Sequence, residues 1–133
     1  MAHYRISEAA RLLGVSDDTV RRWIAADAVT VTQDGAGRQV IAGTELARRA
    51  QEIAVAPDDP SGIGSSARNR MVGLVTAITS DVVMSQVELQ CGPHRIVSLM
   101  STEAVRELGL EVGSLAVAVV KATMVIVEIP GES

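Results

Sequence analysis

Residues 114–129 read "SLAVAVVKATMVIVEI". The run is long enough for two β-strands with a bend near Lys121-Ala122. It is too short to span a bilayer and carries an ammonium in its middle. Working back from it, "STEAVRELG" (101–109) reads as a short helix that Ser101 can cap and Gly109 can close. "RIVSLM" (95–100) is strand-like, "CGPH" (91–94) is a turn, and "VVMSQVELQC" (82–91) and "MVGLVTAIT" (71–79) are two further strands. Strands with one short helix before the last strand pair predict a small, closed or nearly closed β-barrel of OB type.

Composition agrees with that interior. Hydrophobic residues make up 47% of the 133-residue chain, yet aromatics only 2%. Small branched side chains suit the inside of a compact barrel. Cys91 is the only cysteine, so no intramolecular disulfide forms, and "MAHYRISEAARLL" lacks the pattern of a secretory signal. The expectation is a reduced, cytoplasmic protein with no membrane segment.

The N-terminal half follows a different period. In "SEAARLLGVSDDTVRRWIAA" (7–26), Ala9, Leu12, Leu13, Val15, Val20, Trp23 and Ile24 are spaced for one apolar face per helix. Ser7 and Ser16 stand at expected N-caps, Gly14 at a helix stop, and Asp17 and Asp18 in a first turn that favours negative charge. This is helix-turn-helix patterning. Val29, Val31 and Val40 flank a hairpin turn at Asp34-Gly35, and Thr44 can cap a last helix, "ELARRAQEI". The order is that of a winged module. Residues 55–65, with two prolines, two glycines, two aspartates and two serines, show no periodicity and read as a linker. The fold class is therefore α+β: a winged helix-turn-helix over 1–54, a linker over 55–65 and a barrel over 66–133.

Three features of the second half suggest an anion receptor. "SARNR" (66–70) brings Ser66, Arg68 and Asn69 to a strand entrance. Ser101 and Thr102 stand at a helix N-terminus, where unpaired N–H groups favour negative charge. Lys121 is the only lysine beside eleven arginines, and it interrupts an apolar run. It must find a counter-charge, reach water or lose its charge. Hydroxyls, amides and one compact ammonium suit a small tetrahedral oxyanion. With Glu103 the only adjacent carboxylate, this is not a metal-cation site, and Cys91 with His94 is too small a set for zinc.

Two resemblances follow. "YRISEAARLLGVSDDTVRRWIAADAV" (4–29) resembles the helix-turn-helix of MerR-like and excisionase-like proteins. That resemblance implies binding to double-stranded DNA, with the helix from Ser16 in a major groove, Thr19 and Arg22 on base edges, and Arg21 and Arg38 on phosphates. Ser66-Ala67-Arg68-Asn69 followed by Gly73, then "STEAVRELGL" (101–110) and "VKA" (120–122), resembles the Mop-type, or TOBE, molybdate-binding domain. This implies five strands in the barrel and molybdate or tungstate as ligand, bound between subunits of a homo-oligomer, either a dimer or a trimer of dimers. The ligands carry over onto Ser66 and Arg68, through side chain or backbone, and onto Ser101 and Lys121. Ala67, Asn69, Thr102 and Ala122 belong to the same motifs. Where the family often has Ser or Thr, this chain has Ala104, and Thr102 or a water would substitute.

Together these readings predict a molybdate- or tungstate-responsive transcriptional regulator that needs no cofactor and is not an enzyme. The alternative is a storage protein for the oxyanion that does not bind DNA. Residues 1–54 hold seven Arg and seven Asp/Glu, which favours that alternative. A barrel for single-stranded nucleic acid is excluded, because Tyr4 and Trp23 are the only aromatics and both lie outside it. His3 and His94 lack orienting partners in the sequence for nucleophilic chemistry.

Overall fold

The structure, a computed structural model, describes residues 2–131. The chain divides into two compact units, Met1–Val55 and Ala56–Ser133.

The first unit runs β1 (His3–Arg5), α1 (Ile6–Leu13), α2 (Asp17–Ala25), β2 (Thr32–Gln33), β3 (Gln39–Ala42) and α3 (Gly43–Ile53). Its sheet has the order β1-β3-β2, all antiparallel. Gly14, at φ 69°, closes α1 in the left-handed conformation that a side chain would strain. Ser16 caps α2, its Oγ accepting from the Thr19 N–H at 3.1 Å. Ala9, Ala10, Val20, Val29, Ile41 and Leu46 form the core, with Tyr4, Leu13 and Trp23 packed against it.

Several expectations need correction here. Ser7 is not a cap: α1 starts at Ile6 because the Glu8 carboxylate accepts the Arg5 N–H at 3.3 Å, placing Arg5 in the cap position. β1 has no signature in the sequence, since three residues carry no period; pairing of Tyr4 with Ile41 makes it a strand. Leu12 is 63% exposed, because the α1 stripe runs through Ile6, Ala9, Ala10 and Leu13 and Leu12 falls off its edge. Val29 and Val31 precede β2, with Val29 buried in the core. Thr44 does not cap α3, whose N-cap is Ala42.

The second unit contains β4 (Asn69–Ser80), β5 (Met84–Cys91), β6 (His94–Ser101), α4 (Thr102–Leu108), β7 (Leu115–Val120) and a 3-10 turn, Ala122–Met124. The strand order is β6-β5-β4-β7. β4 is shared: residues 69–74 pair with β7 and residues 74–80 with β5, with a register shift between Val75 and Ala77. Such a bulge bends the strand and curls the sheet. Gly92 and Pro93 make the two-residue turn between β5 and β6, Gly92 at φ 59°. Val75, Val87, Leu89, Cys91 and Val105 form the core.

Gly73 lies where β4 presses on β5. A Cβ there would stand 2.5 Å from the Gln90 carbonyl oxygen and 2.6 Å from Cys91 Sγ. Gly73→Ala must push β5 away, and urea unfolding is expected to show a loss of about 1–3 kcal/mol.

The predicted fifth strand does not form within one chain. After β7 and the turn, residues 125–131 have no regular structure, and Ile126, Val127 and Ile129 are 85%, 85% and 87% exposed. A strand exists only by hydrogen bonding to an edge. Among the described residues β6 and β7 do not pair with one another, so the sheet is a curled half-barrel with two free edges.

Candidate oxyanion-binding site

The segment 65–70 is held in place by its own side chains. Asn69 Nδ2 donates to the Val120 carbonyl at 3.2 Å, in register with the Asn69–Val120 strand pair. The Ser65 Oγ accepts from the Ala67 N–H at 3.1 Å, and Ala67 is buried. These contacts lay Ser66 beside the end of β7. Ser66, Lys121, Ala122 and Thr123 line a small cleft of about 190 Å³. Lys121 caps the 3-10 turn through its backbone, its carbonyl accepting from the Met124 N–H at 2.9 Å. The bend read from the sequence therefore exists, and it presents the ammonium to solvent. Lys121 and Arg68 are both exposed, and neither has an ion-pair or hydrogen-bond partner for its side chain among the described residues.

Arg70 has a different task. Its Nε donates to Asp59 Oδ2 at 2.7 Å and its Nη2 to Ser61 Oγ at 2.8 Å. Residues 59–61 are therefore fastened to the start of β4, and the expected linker is ordered over this part. Arg70, followed by hydrogen bonds from Ser61, holds the Asp59 carboxyl at about 2. Because the folded value lies below the unfolded one of about 4, this fastening contributes stability at higher pH and loses it as the pH falls through about 2. Asp59→Asn is accordingly expected to lower the urea midpoint at neutral pH. The difference from the parent should shrink steadily on acidification.

The second half of the predicted site lies elsewhere in the unit. Ser101 ends β6, opposite Met84 and beyond Ser80 at the far end of β4. At about 3.3 Å per residue, the strand length separates the two ends by tens of ångströms before curling is allowed for. Ser101 and Lys121 flank opposite ends of β4, and Ser101 does not line the Lys121 cleft. Ser101 Oγ accepts the Ala104 N–H at 3.0 Å, which leaves its own hydrogen available. Thr102 is different. It is buried, its Oγ1 donates to the Asp81 carbonyl at 2.8 Å, and it shares a hydrogen bond with Ser85 Oγ at 2.9 Å. With its hydrogen engaged by Asp81, Thr102 offers no free hydroxyl donor to an anion in this arrangement. Ser85, 1% exposed, was missed in the sequence because nothing in a strand pattern marks a buried hydroxyl relay.

In the first unit, Thr19 Oγ1 lies 3.0 Å from Ser16 Oγ and accepts from Arg22 Nη2 at 3.0 Å, which aligns these side chains along α2. Arg21 and Arg38 bind Asp18 and Asp34 at 3.4 and 3.2 Å. Trp23 packs on the core under Arg49, whose guanidinium carbon is 4.6 Å from the ring centre.

Comparison with known proteins places the second unit. The TOBE domain family model matches residues 65–127. Molybdenum-pterin-binding protein 2 of Clostridium pasteurianum is 40% identical over 63 residues, covering 47% of this chain and 93% of that protein. The chain belongs to the TOBE family. Molybdenum transport protein ModE of Herbaspirillum seropedicae is 38% identical over the same length of 63 residues, but the match spans only 23% of ModE. The chain is also similar in structure to the cytoplasmic molybdate-binding protein ModG, in a crystal form with molybdate bound. That alignment has a TM-score of 0.51 and 33% identity, and covers 72% of this chain and 79% of that one. Among the described residues, no helix is long and apolar enough to cross a membrane, and no cluster of His, Cys, Asp and Glu suits a metal ion.

Proposed function

We propose that this protein is a molybdate- or tungstate-responsive transcriptional regulator of the cytoplasm, with no enzymatic activity. Its winged helix-turn-helix over residues 1–54 binds double-stranded DNA, 55–65 connects, and the TOBE domain over 66–133 binds the oxyanion. One observation carries the ligand reading: Ser66 and Lys121 share a cleft, and Lys121 and Arg68, two residues along from Ser66, both lack a counter-charge among the described residues. Two cations and a hydroxyl complement a tetrahedral dianion, with the backbone amide of Ala122 adjacent. Ser101 joins from another subunit, since its own chain holds it at the other end of β4.

The same reading requires a homo-oligomer. The gap between β6 and β7 is a groove of about 500 Å³ lined by Val75, Val87, Leu89, Ile96, Leu110 and Ala118. The chain also carries an exposed, almost continuously apolar segment, Met124–Ile129, that pairs with no strand among the described residues. A second copy supplying that segment gives each barrel its fifth strand and brings subunit ends together. The anion then acts by population shift: it favours the assembly it bridges, and so sets the spacing of paired DNA-binding units.

Calorimetry with molybdate, tungstate and sulfate tests the ligand, with molybdate or tungstate expected to bind and sulfate weakly if at all. Heat changes equal for all three would overturn it. Fluorescence anisotropy against the upstream region of the protein's own gene separates regulator from storage protein. Specific, salt-sensitive binding that changes with molybdate supports the regulator.

A further inference from the structure

We infer that Arg5, Arg21 and Arg38 form a cleft for a DNA backbone phosphate in the N-terminal unit. This rests on the DNA reading above and adds to it a residue, Arg5, from an element that sequence periodicity does not reveal.

An open cleft of about 430 Å³ lies between the β1–α1 junction, the start of α2 and the β2–β3 hairpin. Its walls carry three guanidinium residues, Arg5, Arg21 and Arg38, with Ser7 and Gln39 as neutral donors and Asp17 as a carboxylate. Each arginine comes from a different element, so the tertiary fold alone gathers them.

The unit's zero net charge hides this concentration. On α3, Arg48 binds Glu45 at 2.8 Å and also Glu52, and Arg49 binds Glu52 at 3.0 Å. That helix neutralises its own acids away from the cleft. Near the cleft the pairing is looser. Arg21 meets Asp18 through Nη1 alone at 3.4 Å, and Arg38 meets Asp34 through Nε alone at 3.2 Å. Both arginine side chains are more than half exposed, at 59% and 56%. Exposed pairs of this kind are weak and yield to a competing anion. Arg21 keeps Nη2 and Arg38 keeps both terminal nitrogens for a phosphate oxygen. Arg5 is exposed and joins no ion pair among the described residues. Several guanidinium forks around one opening match a phosphodiester. The cleft adjoins α2, the helix that carries Thr19 and Arg22. A phosphate seated there would set the register of that helix on the duplex without reading sequence.

The test is an anisotropy titration of the full chain with two labelled duplexes of equal length: the upstream region of its own gene and a scrambled version. Arg5→Ala keeps the backbone N–H that binds Glu8, so α1 retains its cap, and an unchanged thermal midpoint verifies this. The expected result is an affinity about tenfold lower for both duplexes at low salt, a log–log salt slope shallower by about one, and partial recovery in Arg5→Lys. Arg5→Ala with unchanged affinity and slope, beside an Arg22→Ala variant that binds weakly, would overturn the cleft and leave the DNA reading standing. Weakening confined to the own-gene duplex would also overturn it, since a phosphate contact acts on both. Parent protein that binds neither duplex at low salt would remove the cleft and the DNA reading together.

Discussion

Lys121→Ala is expected to bind molybdate about 10- to 100-fold more weakly than the parent while remaining folded, because a hydrogen bond to a charged group contributes about 1.5–3 kcal/mol. The ammonium is exposed at the end of β7 and has no partner among the described residues, so its removal leaves none of them unsatisfied. The backbone of the bend is held by the Met124-to-Lys121 hydrogen bond and by Asn69 on Val120, neither of which uses the lysine side chain. Calorimetry gives the affinity and a thermal melt gives the fold. Lys121→Arg keeps the charge and is expected to recover part of the loss, as its planar fork does not reproduce a compact ammonium. Unchanged affinity in Lys121→Ala would place the anion elsewhere.

Val127→Glu is expected to turn the proposed oligomer into a monomer and to abolish molybdate binding with it. In Met124–Ile129 a strand period of two sets Val125, Val127 and Ile129 on one face, and Met124, Ile126 and Glu128 on the other. The face without the glutamate is the one the proposed strand exchange would turn into the aliphatic groove between β6 and β7. A valine buried there contributes about 1.5–3 kcal/mol, and an unpaired carboxylate in its place adds a desolvation penalty. Within a single chain Val127 is 85% exposed, so the substitution has no monomer packing to disturb. Light scattering after size exclusion reads the mass. Ile126→Glu, on the opposite face, is the control and should preserve both assembly and binding. A Val127→Glu protein that keeps its mass would show that the segment does not enter the groove.

The legible parts of the sequence were those governed by local rules. Gly14 and Gly109 end helices, Ser16 and Ser101 cap them, and Gly92-Pro93 turns a hairpin, because each depends on the conformation of a few neighbouring residues. Ser7 and Thr44 misled for the same reason in reverse. A hydroxyl at the right place is only a candidate cap, and at Arg5 the Glu8 carboxylate took the role instead. The grouping of Ser66 with Lys121 was readable through motif order, yet its cause, the Asn69 contact to Val120 across 51 positions, has no local signature.

By itself the sequence determined two differently patterned halves, most of their helices and strands, and an isolated lysine at a bend, since periodicity and turn chemistry act over short distances. Tertiary structure alone decided that Arg70 fastens residues 59–61, that Thr102 is occupied by Asp81 and Ser85, and that the last apolar segment finds no edge in its own chain. Hydrogen-bond donors and strand edges are allotted by contacts between residues remote in the chain. Which of them are already taken is therefore a property of the fold.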